Sequence, residues 1–247
     1  MHNCLPKSSI VNLYAVGFSI WKRQHVRAFL QDRSVIFVRK PAGLPNRKQL
    51  SVATWGMRIP SSDFPDGTEV LRLEDGFLRS VGLGADLVRP LSWVRDTRGI
   101  YYDATKPSDL EYILKTSEFS GELKERAKKL RESLLNAEIT KYNVGNKMEW
   151  RRPLSGQRVV LVPGQVESDA SIRYGAGNIK TNLDLLKASR SENPDAFILY
   201  KPHPDVVAGL RSEGKSESAA VHFCDEVVVD ISMGSLLKEV DEVHVMT

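Results

Sequence analysis

Apolar residues gather into short runs separated by polar stretches with helical periodicity. Ile10–Val16 is one such run and stops at Gly17. Phe18, Trp21, Val26, Phe29 and Leu30 recur at helical spacing and predict a helix over Phe18–Leu30. Ser34–Val38, Leu50–Trp55 and Thr68–Leu73 read as strands, the last running into the acidic turn Glu74-Asp75-Gly76. Leu91–Val94 and Gly99–Asp103 read as a strand pair about the turn Asp96-Thr97-Arg98-Gly99. Pro107 and Ser108 are start signals for a helix through Leu114. Gly121–Ala137 predicts a charged helix with Leu123, Ala127, Leu130 and Leu134 on one stripe.

The second half repeats the alternation. Arg158–Val162 is a near-continuous apolar strand, the pattern of a parallel sheet covered on both faces. Asn182–Ser189 reads as a helix, and Ala196–Tyr200 as a second buried strand ending at Lys201-Pro202-His203-Pro204. Glu226–Val229 and Glu242–Met246 are further strands, with a helix over Gly234–Glu239 between them. Alternating strands and helices predict an α/β fold with parallel sheets. The pattern breaks at Glu149–Gly156, which places a boundary between two Rossmann-like domains, 1–153 and 154–247, facing a cleft. Ligands of open α/β sheets sit beyond the carboxyl ends of the strands.

Length and composition leave this picture intact. The chain has 247 residues, 41% hydrophobic and 27% charged, which argues against disorder. No apolar run approaches the roughly 20 residues needed to span a bilayer, and the first residues lack the long apolar segment of a signal peptide. The cysteines, Cys4 and Cys224, form no disulfide framework and are expected to be free thiols. These features predict a cytoplasmic protein whose membrane contact is peripheral.

Charge adds an asymmetry. Residues 1–150 carry 24 Lys/Arg against 17 Asp/Glu, and residues 151–247 carry 11 against 14. Trp21–Lys48 alone has eight basic residues and one acid, Asp32. Either this is a solvated helix face, or it attracts an anionic partner: lipid headgroups, nucleic acid or an acidic sugar. Nucleic acid fits worst, because no RNA- or DNA-binding motif is present.

Three constellations follow strands. Glu74-Asp75-Gly76 with Arg79 and Ser80 reads either as a carboxylate pair tuned for acid–base work or as a capped turn in which Arg79 pairs with Glu74. After the strand at Arg158–Val162 come Gln165, Glu167, Asp169 and Ser171, then a cation at Arg173 and a flexible loop through Gly177. So polar a loop after a buried strand points to a site, although it is not a phosphate-loop motif. Lys201-Pro202-His203-Pro204 fixes a lysine and a histidine at a strand end, an arrangement that suits a phosphate. No metal-ligand spacing, Ser-His-Asp set or dinucleotide fingerprint is present.

Four long motifs now stand in order: RLEDGFLRSVGLG (Arg72–Gly84), GIYYDATKPSDLE (Gly99–Glu111), VPGQVESDASIRYG (Val162–Gly175) and YKPHPDVVAGLR (Tyr200–Arg211). Together they closely resemble the capsule polysaccharide proteins of the KpsC family, retaining β-Kdo glycosyltransferases built of two tandem modules. The resemblance runs from about Gly17 to the end. The wording LSWVRDTRGIYYDA and ITKYNVG is more like the C-terminal module.

The resemblance implies a GT-B-like fold, with residues 1–153 as acceptor domain and 154–247 as domain for the donor CMP-Kdo. It implies transfer to a Kdo-terminated phosphatidylglycerol, by double displacement, at the inner membrane. It also implies the other KpsC module and other capsule assembly proteins as partners. Asp169 matches the nucleophile, Glu74 the general acid/base, and His203 with Pro204 the motif that holds the CMP phosphate. Lys201, Gln165 and Ser171 fall within the same donor-binding motifs. Asp75, Arg79 and Arg173 are candidates for the acceptor or the Kdo carboxylates. No cofactor or metal is implied, since CMP is a weakly basic leaving group. The family continues beyond Val245-Met246-Thr247, so the expectation is an incomplete donor domain with weak or no activity, the first ten residues being an inter-module remnant. Two other classes compete: an inactive anion- or lipid-binding module of the same fold, and a GT-B-like sugar-nucleotide epimerase.

Overall fold

The computed structural model describes residues 12–47, 49–83, 87–145, 148–153, 156–207, 209, 219 and 221–247. Cys4, Lys48 and Gly84 lie outside them. The described residues form two compact units: Met1–Gly76 with Ser92–Tyr101 and Lys106–Thr116, and Phe77–Leu91 with Tyr102–Thr105 and Ser117–Thr247.

The first unit is a five-stranded sheet. It contains β1 (Asn12–Val16), α1 (Ile20–Phe29), β2 (Ser34–Val38), β3 (Ser51–Trp55), β4 (Glu69–Asp75), β5 (Trp93–Asp96) and α2 (Asp109–Thr116). The strand order is β2-β1-β3-β4-β5. The first four run parallel, as the sequence predicts, and β5 is antiparallel to β4. Alternation along the strands sorts the core. Leu13, Ala15, Ala53, Leu71 and Leu73 pack with Val26 and Leu30 on one face. Val16, Leu50, Val52 and Phe64 pack on the other.

The expected pairing of residues 91–94 with 99–103 is not formed. β5 pairs with β4 instead, and residues 97–103 are turns and irregular. The cause is Asp96, which is buried and spends its carboxylate on local backbone. Its Oδ1 accepts from the amides of Arg98 and Gly99, and its Oδ2 from Asp109. An Asx turn of this kind competes directly with a β ladder.

The second unit contains α3 (Gly121–Asn136), β6 (Val159–Pro163), α4 (Ala170–Gly175), α5 (Asn182–Glu192), β7 (Phe197–Lys201), α6 (Pro204–Val207), β8 (Glu226–Val227), α7 (Met233–Leu236) and β9 (Glu242–Val243). Its sheet is all parallel, in the order β8-β7-β6-β9. Val160, Val162, Ile198 and Tyr200 pack toward Leu185 and Leu186 of α5. Val159, Leu161 and Leu199 pack with Trp150 and Leu236. The apolar runs at β6 and β7 are thus buried on both faces, and each such side chain contributes roughly 1.5–3 kcal/mol. The arrangement points the carboxyl ends of β6 and β7 the same way, at Pro163 and Lys201.

Among the described residues no helix is long and apolar enough to cross a membrane.

Candidate functional site

Each strand-end constellation is fixed by its own backbone contacts. Glu74 and Asp75 occupy the last two positions of β4, opposite Val94 and Trp93. The chain then turns at Gly76, whose amide donates to the Ser92 carbonyl at 3.0 Å. A Cβ there would sit 2.9 Å from the Ser92 Cβ, so only glycine fits. Glu74 Oε1 accepts from the Asp75 amide at 3.0 Å. Both carboxylates are half-buried and belong to the first unit.

Arg79 belongs to the second unit and is buried there. Its Nη1 donates to Ser80 Oγ at 2.8 Å. The amides of Arg79 and Ser80 both donate to the Lys141 carbonyl, and Gly82 donates to Tyr142. The segment after the acidic turn is therefore laced to residues 141–143.

The loop after β6 carries Gln165, Asp169 and Ser171. Gln165 is spent on Met246 and Thr247: its Oε1 accepts from the Met246 amide at 2.8 Å, and its Nε2 donates to Thr247 Oγ1 at 2.9 Å. Glu167 Oε1 accepts from the Asn182 amide at the start of α5. Asp169 is the N-cap of α4. Its Oδ1 accepts from the amide and hydroxyl of Ser171, at 3.0 and 3.1 Å. Its Oδ2 accepts no hydrogen bond from the described residues. One oxygen is tethered, and the other is presented.

The expected flexible loop at Arg173–Gly177 is corrected by the structure: Arg173–Gly175 complete helix α4. Tyr174 accepts from the Ala104 amide, and a Cβ on Gly175 would meet the Tyr102 carbonyl oxygen at 2.6 Å. Gly175 serves close packing here. Arg173 is exposed.

The loop after β7 carries the third set. Lys201 is 8% exposed, and its Nζ donates to the Val229 carbonyl at 2.8 Å. Burial pushes its ammonium below the ordinary lysine value, and the carboxylate of Asp230 opposes that shift. His203 Nδ1 accepts from the Asp205 amide at 3.1 Å. An accepting Nδ1 places the proton of the neutral ring on Nε2, which is then the donor. Pro204 takes the first position of α6, where its missing N–H costs nothing.

Lys201, His203 and Pro204 line a cavity of about 430 Å³ within the second unit, together with Pro163 and Gly164 of the β6 end. The volume suits a nucleotide-sized ligand. The remaining walls come from Thr140–Tyr142, Val144 and Gly145, from Pro202 and Val207, and from Val229, Asp230 and Met233. Gln165, Asp169 and Ser171 do not line it; they follow one residue or more after Gly164, which does. Sequence reasoning noted residues 139–145 only as the family wording ITKYNVG and did not place them in a site. A local signal exists at Gly145, whose φ is +98° and whose Cβ would lie 3.1 Å from the Ser232 backbone. Among the described residues no three metal-ligating side chains gather.

Residues 64–149 and 146–247 match the family model of capsule polysaccharide biosynthesis proteins. The chain belongs to the capsule polysaccharide biosynthesis family. Among curated relatives of this family member, the capsule polysaccharide modification protein LipA of Neisseria meningitidis is 42% identical over 243 residues, 95% of this chain and 34% of LipA. The lipopolysaccharide-processing protein LpsZ of Rhizobium meliloti is 38% identical, over 94% of this chain and 56% of LpsZ. This capsule family chain thus spans about a third of the one relative and just over half of the other.

Two solved structures of Thermosulfurimonas dismutans KpsC are similar in fold, each with a TM-score of 0.75. The β-Kdo 2,7 transferase is 37% identical and covers 94% of this chain, which spans 71% of it. The β-Kdo 2,4 transferase is 30% identical and covers 96% of this chain, which spans 74% of it. The KpsC-type assignment and the α/β class with parallel sheets, consistent with a GT-B-like fold, are thereby established for this capsule protein.

Proposed function

We propose that the chain is a retaining β-Kdo glycosyltransferase module that moves Kdo from CMP-Kdo to a Kdo-terminated phosphatidylglycerol acceptor. One observation carries the reading: a nucleotide-sized cavity at the ends of β6 and β7 is walled by a buried lysine and by a histidine held as an Nε2 donor. Both suit the single phosphate of CMP-Kdo and of the CMP that leaves. The similarity to two solved Kdo transferases supports the sugar. The higher identity to the 2,7 enzyme supports a 2,7 linkage.

In this reading Asp169 Oδ2 attacks the anomeric carbon of Kdo. The bond from that carbon to the phosphate oxygen breaks, and CMP leaves with the electron pair. Lys201 and His203 stabilise the departing phosphate without a metal. The acceptor hydroxyl then attacks the same carbon, the bond to Asp169 breaks, and Glu74 takes the hydroxyl proton. Two inversions give net retention. Arg79, Arg173 and Asp75 serve the Kdo carboxylates and the acceptor, while Gln165 and Ser171 position the nucleophile loop. The chain works in the cytoplasm, peripherally at the inner membrane, beside a second module and other capsule proteins.

The test is incubation with CMP-Kdo and a soluble Kdo-terminated acceptor, with the product linkage read by NMR. A β-linked product absent from Asp169→Asn supports the reading. CMP binding without transfer points to an inactive module, and preference for UDP over CMP points to an epimerase.

A further inference from the structure

Helix α3 is an anomaly. It has 16 residues, begins at the N-cap Ser120, and buries none of its side chains. Leu134 is half-buried and every other residue is exposed. Helices of this length owe most of their stability to a buried apolar face, and here the local side-chain support is the Ser120 cap, the Glu125–Lys129 pair and the Ser133 hydroxyl on the Lys129 carbonyl.

The face it leaves uncovered is ordered. At 100° per residue, Leu123, Ala127, Leu130 and Leu134 fall within a stripe about 60° wide. Leu123 is 43% and Leu130 is 52% exposed. Arg126 borders the stripe on one side, Lys124 and Arg131 on the other. The acids Glu125 and Glu132 lie on the opposite pole with Lys128 and Lys129 beside them, and Glu122 lies about 110° from the centre of the stripe. The charges nearest the leucines are all cations, and the far face carries both signs. A protein partner met through a coiled-coil seam would call for both signs beside the stripe. An anionic lipid surface calls for the arrangement found, with leucines at the acyl boundary and cations among the headgroups.

We propose that α3 is the element by which this chain lies on an anionic phospholipid surface. The proposal builds on the reading of a phosphatidylglycerol-linked acceptor and names the surface that brings the enzyme to it. The adjacent helix in sequence, α2 of the first unit, also exposes Tyr112, Ile113 and Leu114.

The test is co-sedimentation of the full chain with vesicles of phosphatidylcholine alone or mixed with phosphatidylglycerol. Two variants accompany it, Leu123→Ser with Leu130→Ser, and Lys124→Gln with Arg126→Gln and Arg131→Gln. Neither touches a buried residue, so both should keep the wild-type melt and the wild-type stabilisation by CMP. That second readout separates failure of the membrane proposal from failure of the transferase reading. Binding is expected only with phosphatidylglycerol present, and to weaken with salt. Each surface cation is worth roughly five-fold in partitioning, so the triple variant should lose about a hundred-fold. Absence of wild-type binding, or equal binding by the variants, overturns the proposal. So does a concentration-dependent dimer abolished by Leu123→Ser with Leu130→Ser, which would assign the face to a second copy of the chain.

Discussion

The amide of Gly164 donates to the carbonyl of Lys201 at 2.7 Å, joining the loop that carries Asp169 to the loop that carries His203. The approach is so close that a Cβ on Gly164 would lie 3.1 Å from the His203 nitrogen and 2.9 Å from the Tyr200 hydroxyl oxygen. Tyr200 is fully buried and has nowhere to go. Gly164→Ala should therefore cost about 1–3 kcal/mol, and calorimetry should show Tm lowered by several degrees. CMP affinity should fall further than the stability loss explains, because the cavity wall itself moves. An unchanged melt and unchanged CMP affinity would contradict this account.

Much of this arrangement is legible in the sequence, for identifiable reasons. Val159–Val162 and Ala196–Tyr200 are apolar at consecutive positions, which suits a strand covered on both faces, and both are central strands. The polar loops after them could then be placed by topology alone. The register of β5 was hidden because it depends on where Asp96 spends its carboxylate. Helix α4 was hidden because its six residues are too few for periodicity to show, although Asp169-Ala170-Ser171 is a fair cap signal in retrospect. Periodicity found α3 but says nothing about whether this chain covers its stripe. The cavity wall at Thr140–Gly145 shows no periodicity and enters the sequence reading only within the family wording ITKYNVG, because its place is set by hydrogen bonds to Arg79, Ser80 and Gly82.

Lys201 sets a pH dependence. Burial holds its ammonium below the ordinary value of 10.5. The folded chain thus binds this proton more weakly than the unfolded chain. The resulting cost to stability is present at lower pH and is lifted as pH rises through the window up to 10.5. A bound phosphate acts oppositely, by favouring the charged form. CMP affinity measured by calorimetric titration should therefore weaken as pH rises through the lowered value, before an ordinary lysine would titrate. Lys201→Met should bind weakly and lose that alkaline dependence; a variant with the wild-type profile would assign it to another group.

Asp241 fastens β9 to β6. Its carboxylate takes both Nη atoms of Arg152, at 2.9 and 2.5 Å, and the Val159 amide at 2.7 Å. The Arg152 bond, then the Val159 amide, holds its pKa below the ordinary 3.8. A lowered carboxylate contributes stability above its unfolded value and loses it as pH falls through the folded one. Asp241→Asn should lower Tm at neutral pH, and the gap to wild type should close in strong acid. A gap that persists unchanged to the lowest accessible pH would show that shape, not charge, matters at this position.

Asp169 has two duties that substitution can separate. As N-cap it satisfies the Ser171 amide at 3.0 Å; as proposed nucleophile it offers Oδ2. Asparagine caps a helix about as well as aspartate does, while alanine costs about 1 kcal/mol. Asp169→Asn should therefore fold and melt like the wild type yet lose transfer by about a thousand-fold or more, as losses of a covalent nucleophile do. Asp169→Ala should lose the same activity and melt lower as well. CMP binding should survive in both, because Asp169 does not line the cavity that holds Lys201 and His203. If Asp169→Asn kept wild-type transfer, the carboxylate would be a cap and nothing more, and the double-displacement reading would have to find its nucleophile elsewhere.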